Sequence, residues 1–175
     1  MNMLLRLLWL LLRRRFRAPV PMYGPCRTPF RVWFTDLDLL WHVNNGVYLS
    51  MMDLGRVDLM LRSGLAAKIR AQGWYPVVVA ETIQFRRSLT LFQRFEIETR
   101  VLGWDDKAIV IEQQFIRRGE SIAHALVRGR FLSTQGGGVA PRQLAELMGE
   151  SGESPPLGEY AQRWNADQAD WKGSR

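Results

Sequence analysis

Between residues 35 and 46 the chain reads Thr35-Asp36-Leu37-Asp38-Leu39-Leu40-Trp41-His42-Val43-Asn44-Asn45-Gly46. Asp36, Asp38, His42, Asn44 and Asn45 gather there, directly ahead of an apolar, helix-like stretch. A helix N-terminus offers unpaired N–H groups and a partial positive charge. Those groups can polarise an acyl carbonyl and stabilise the oxyanion that forms when it is attacked. A carboxylate on the approach can serve as nucleophile or as base for water, and an imidazole four residues on can orient it or share its proton. Taken singly, each residue has a plainer reading. Asp36, Asn44 and Asn45 are turn and helix-cap types, and a lone loop histidine is more often a hydrogen-bonded one than a catalyst. A cap needs one polar residue, however, and this loop supplies five.

The flanking segments must position this loop. Phe30, Val32 and Phe34 alternate with Pro29, Arg31 and Trp33, which predicts a strand over 28–34. From Gly46 to about Ser63 apolar residues recur every three or four positions, Tyr48, Met51, Met52, Gly55 and Leu59 among them. That pattern predicts a helix buried over most of its surface, stopped at Gly64. After a Gly-Trp-Tyr-Pro turn the pattern becomes β. Val77, Val79, Glu81, Ile83 and Phe85 are expected on one face of a strand over 77–87. Further strands follow over 94–102, 108–118 and 121–133, turning at Asp105-Asp106 and Gly119-Glu120. Residues 136–138 read as a break, 141–148 as a short helix, 149–158 as a linker and the tail from Tyr160 as a peripheral helix. An antiparallel sheet must bury one face, and the 46–63 helix is the element long and apolar enough to cover it. The fold class is α+β, a curved antiparallel sheet wrapped around a long central helix. Glu81 stands out on its strand, because an acid among Val79 and Ile83 needs a partner. It reads either as a second carboxylate near the site or as the partner of an arginine.

Composition narrows the function. The net charge of +7 includes five arginines within residues 1–20, leaving about +2 for the rest of the chain. With no aromatic-rich basic strand, a nucleic-acid partner is not expected. One cysteine excludes an internal disulfide, and two histidines leave little to hold a metal. The start, MNMLLRLLWLLLRRRFRAPV, has about 12 mostly apolar residues, against about 20 for a span. Its main basic cluster follows the apolar run, unlike a signal peptide. Residues 1–18 suit either a helix lying on an anionic membrane surface or a helix packed on the body of the protein. The organisation reads as a basic amphipathic segment over 1–20, a catalytic domain over 27–135 and a helical tail with linker over 136–175. The expected location is cytoplasmic, with peripheral contact at the inner face of a membrane as the membrane alternative requires.

The run Thr35-Asp36-Leu37-Asp38 with His42-Val43-Asn44-Asn45 and Tyr48, followed by Asp53 and Arg56, resembles the signature of hotdog-fold thioesterases. It resembles the 4-hydroxybenzoyl-CoA thioesterase group and the Asp-Leu-Asp and His-Val-Asn-Asn stretch of plant acyl-ACP thioesterases. The basic apolar start followed by such a domain resembles the group related to thioesterase superfamily member six. The resemblance covers roughly residues 28–134. It implies an acyl-CoA thioesterase without a cofactor, with the catalytic Asp at Asp38, the acyl-ACP group's histidine at His42 and the carbonyl-polarising N–H near Asn45. Tyr48, Glu81, Arg86 and Arg87 fall where substrate is expected, the arginines facing CoA phosphates. Such relatives pair sheets edge to edge, which implies a homodimer or a dimer of dimers. Leu40 replaces an asparagine of the acyl-ACP group, which weighs against that group's mechanism. A non-catalytic acyl-binding or membrane-associated hotdog protein is the alternative. A hydratase or dehydratase fits less well, because Leu-Leu-Trp separates Asp38 from His42.

Overall fold

The computed structural model describes residues 3–13 and 16–170; Met1, Asn2, Arg14, Arg15 and the end of the tail, 171–175, lie outside the described residues. The predicted central helix forms as α2, Asn45–Arg62, and Asn44 caps it by accepting the Gly46 N–H at 2.9 Å. Tyr48, Met51, Met52 and Leu59 are buried along it. Gly55 brings it close to the sheet: a Cβ there would stand 2.9 Å from Gln113 Nε2 and 3.0 Å from Thr99 Oγ1.

The sheet consists of β1 (Cys26–Arg31), β2 (Trp74–Phe85), β3 (Arg94–Trp104), β4 (Ile109–Arg117), β5 (Glu120–Ser133) and the two-residue β6 (Gly138–Val139). All pairings are antiparallel, in the order β1-β3-β4-β5-β2, with β6 on β5. Phe95, Ile97, Thr99, Ile111, Phe115 and Val127 turn inward and bury against α2. This is the curled sheet around a helix expected from the sequence, the hotdog arrangement. Strand β5, the last long strand in chain order, is internal, and β2 takes the open edge beside it.

Several local expectations are corrected. The first strand begins at Cys26 and ends at Arg31, because Phe34–Asp36 winds into a 3-10 turn while Val32 tucks into the core. Gly64, at φ 81, does stop α2. A second short helix, α3 (Leu65–Ala71), starts straight after it and buries Leu65 and Ile69, one turn apart. A bulge between Val78 and Ala80 shifts the alternation of β2 by one residue. Val78, opposite Gly129, therefore takes the side of Glu81 and Ile83, in place of the expected Val77 and Val79.

The N-terminal helix, α1 (Met3–Arg13), packs on the body of the protein. Leu10 and Arg6 are buried and Met3 touches the core, while Leu4, Leu5, Leu8 and Leu12 face outward. Just beyond it, Arg17 pairs with the buried Asp58. No helix among the described residues is long and apolar enough to cross a membrane. At the other end α4 (Pro141–Met148) buries Leu144 and Ala145. Helix α5 (Glu159–Asp170) lies over the outer face of the sheet. Asn165 pins it there, accepting from Arg128 Nε and donating to Asp105 Oδ2, both at 2.9 Å.

Candidate active site

Asp36 and Asp38, two residues apart, are put to opposite uses. Asp36 is sealed: its Oδ2 accepts from Arg6 Nη2 at 2.6 Å and from the Trp33 N–H at 2.7 Å, with the two side chains 1% and 3% exposed. Its carbonyl also accepts the Asn44 N–H at 2.8 Å, which ties the loop to the head of α2. Asp38 is open. Its Oδ1 accepts the main-chain N–H groups of Leu40 (2.9 Å) and His42 (3.2 Å), so the loop folds around one carboxylate oxygen. Oδ2 has no partner among the described residues. Leu37, Asp38, Leu39, Leu40 and Asn44 line a shallow, open depression here, with Leu39, Leu40 and Trp41 exposed around it.

The head of α2 completes this corner. Asn44 takes the Gly46 N–H on its side chain and the Val47 N–H on its carbonyl. The Asn45 N–H is then the first donor of the terminus with no acceptor among the described residues. The imidazole of His42 is exposed, and no hydrogen bond or ion pair among the described residues joins it to Asp38; the two residues meet through the main chain of His42. Tyr48, expected against substrate, is 2% exposed and packs between Phe85 and Phe115, each ring centroid 4.9 Å away. One turn into α2 it faces the sheet, so it anchors the helix. Burial raises its phenol above the ordinary range, against a hydrogen bond from the Leu89 main chain.

Glu81 meets an arginine, with its side chain 25% exposed and Oε2 3.8 Å from Arg56 Nη2. Burial pushes its carboxyl upward; Arg56 opposes that and Asp53 adds to it. Arg56 also pairs with Asp53 and donates from Nη1 to Gln113 Oε1 at 2.7 Å. Gln113, fully buried, donates in turn to the Met52 carbonyl and Thr99 Oγ1, both at 2.9 Å. Sequence reasoning passed over Gln113. The signal was an amide at an inward position of β4 between Ile111 and Phe115. Arg56 and Asp53 border an aliphatic cavity of about 260 Å³ between the second half of α2 and strands β2 and β5, lined by Met60, Pro76, Val78, Ile111 and Phe131 among others. Arg86 and Arg87 are exposed beyond the end of β2, Arg87 paired with Glu120.

Residues 32–164 match the family described as the Thioesterase-like superfamily. The chain is similar to Protein THEM6 of Danio rerio, 33% identical over 162 residues, covering 91% of this chain and 79% of that protein. It is 42% identical over 95 residues to Protein THEM6 of Xenopus laevis, covering 54% of this chain and 46%, about half, of the frog protein. Among solved structures, YbaW, a probable thioesterase from Escherichia coli, superposes with a TM-score of 0.66 at 25% identity, covering 70% of this chain and 95% of that one.

Proposed function

As the chain belongs to the Thioesterase-like superfamily, we propose that it hydrolyses an acyl thioester, acyl-CoA being the substrate class, with Asp38 as the reacting carboxylate. The observation that carries this reading is the division of labour in the loop: Asp36 is consumed by Arg6, while Asp38 keeps Oδ2 open in a depression that Asn44, the cap of α2, also lines. Asp38 Oδ2 takes a proton from water as the water oxygen bonds to the carbonyl carbon. The oxyanion accepts from the Asn45 N–H, helped by the charge at the head of α2. Collapse breaks the C–S bond, and the thiolate takes the proton back from Asp38, leaving a carboxylic acid and a free thiol. Direct attack by Oδ2 followed by hydrolysis of the mixed anhydride gives the same products.

The aliphatic cavity suits an acyl chain, but Asp53 lies eight residues into α2, about 12 Å from its head. Edge pairing would bring the parts together. Strand β2 runs antiparallel to α2: Phe85 packs on Tyr48 near the helix head, and Pro76 and Val78 line the cavity beside Met60. Two β2 edges pairing antiparallel set the cavity half of one strand beside the Asp38 half of the other. This supports a homodimer in which each catalytic loop serves the partner's cavity. Peripheral contact with an anionic membrane through α1 fits the outward leucines. Turnover of a panel of acyl-CoAs by the wild type and by Asp38→Asn tests the reading. An Asp38→Asn enzyme as active as the wild type contradicts it, and binding without turnover points to an acyl-binding protein.

A further inference from the structure

A second cleft, of about 480 Å³, lies on the far side of the molecule's first strand, between α1 and β1. Four arginines line it, Arg6, Arg13, Arg31 and Arg94, and no acidic residue among the described residues does. Trp9, Phe30 and Trp33 supply its apolar wall. Arg6 shares Asp36, yet two of its guanidinium nitrogens, Nε and Nη1, are buried without an acceptor among the described residues. Buried donors without acceptors are rare and costly, and Arg13, Arg31 and Arg94 add three like charges that repel until an anion joins them. Three of the four guanidinium groups are also held in place. Arg13 stacks 4.4 Å over the Trp9 ring, Arg31 lies 5.6 Å over Trp33 and 5.2 Å over Phe92, and Arg6 lies 6.0 Å over Phe30.

We infer that this cleft binds a phosphoryl group carried on an apolar body, and that the source is the headgroup of an anionic phospholipid. Guanidinium forks suit the phosphate oxygens. The cleft has the volume of a small-molecule site, more than one phosphate ion needs. The helix that supplies Arg6 and Arg13 to the cleft also exposes Leu4, Leu5, Leu8 and Leu12, which suit acyl chains. The inference deepens the membrane reading of α1 and is independent of catalysis at Asp38.

The test is co-sedimentation of the full chain with phosphatidylcholine vesicles, with and without phosphatidic acid, and calorimetric titration with inorganic phosphate and with a soluble short-chain phosphatidic acid. Arg31 and Arg94 are exposed and lie outside α1, so Arg31→Gln with Arg94→Gln leaves the core and the leucines in place. A matched control replaces Arg142 and Arg163, on the remote surface, by Gln. The wild type should prefer the phosphatidic acid vesicles, the cleft variant should lose about tenfold or more in affinity, and the control should bind as the wild type does. Unfolding midpoints of both variants should stay at the wild-type value. Equal losses in cleft variant and control would leave only non-specific charge and overturn the site. Tight binding of inorganic phosphate, lost in the cleft variant, without preference for the vesicles would overturn the lipid source. Leu5→Asp with Leu8→Asp should release the protein from vesicles while the short-chain lipid still binds. If that variant stays on the vesicles, the membrane reading of α1 fails while the phosphoryl site stands.

Discussion

The Asp38 carboxylate is fixed by the main-chain N–H of His42, 3.2 Å away, and not by its imidazole. Asp38→Asn keeps an oxygen to accept that N–H but loses the nucleophile or base. It should lower kcat by about two orders of magnitude or more, with little change in stability. His42→Ala keeps the same N–H and should cost no more than about tenfold. Steady-state kinetics of the two variants side by side check this. A His42→Ala loss as large as that of Asp38→Asn would show that the imidazole joins the reaction.

The Arg6–Asp36 pair places α1 in the same structural unit as the Asp38 loop. Asp36→Ala leaves the Arg6 charge buried and should destabilise the protein by about 3 kcal/mol in urea unfolding. Removing residues 1–18 strips Asp36 and Asp58 of Arg6 and Arg17 together. The truncated protein should therefore unfold at lower urea than the Asp36→Ala variant, whatever its affinity for vesicles.

Much of this was legible in the sequence, and what was not has a physical reason. The period-three-and-four pattern of 46–63 and the alternation of Phe95, Ile97 and Thr99 reflect burial on one face, so α2 and β3 could be read directly. The bulge at Val79 left no such trace, since three valines in a row satisfy either face. Asp38 and the α2 cap are local in sequence and were visible together. The partners of Arg6 and Arg56 were not, because Asp36 and Gln113 lie 30 and 57 residues away and only the closed fold brings them into contact.

Gly55 sets the distance between α2 and the sheet. Gly55→Ala would press a methyl group against Gln113 and Thr99, which are held by their own hydrogen bonds. A loss of about 1–3 kcal/mol is expected, despite the better helix propensity of alanine. Denaturant unfolding checks it; a Gly55→Ala variant more stable than the wild type would mean the helix has room to move.

Asp105 links pH to the C-terminal helix. Burial alone would raise its carboxyl, but the Lys107 N–H, Arg128, Asn165 and the Ala108 N–H hold it at about 2, against an ordinary 3.8. The folded state thus favours the carboxylate. The stabilisation is complete above about pH 4 and is lost as pH falls from there towards 2. Thermal unfolding followed over that window should fall more steeply for the wild type than for Asp105→Asn. That variant should already be weakened at neutral pH, because Arg128 and Asn165 both point at the replaced group.

Strand β2 lies at the open edge of the sheet. An unpaired edge strand exposes main-chain donors and acceptors, and proteins commonly pair or cover such edges. Val78 and Val79, at the bulge, are both exposed there. If two β2 strands pair antiparallel, each Asp38 loop reaches the other subunit's cavity, and activity depends on the dimer. Replacing Val79 by lysine places a charge at that seam and leaves the cavity-lining Val78, Asp38, Asn45 and α2 in place. Light scattering should find the wild type as a dimer or a dimer of dimers and the variant as a folded monomer. The monomer's kcat/KM should fall by about tenfold or more for a long acyl-CoA and less for a short acyl thioester that does not need the cavity. A wild type that is monomeric and fully active at micromolar concentration would mean that one chain holds the whole site, and that the acyl chain lies along the exposed Leu39, Leu40 and Trp41 rather than in a partner's cavity.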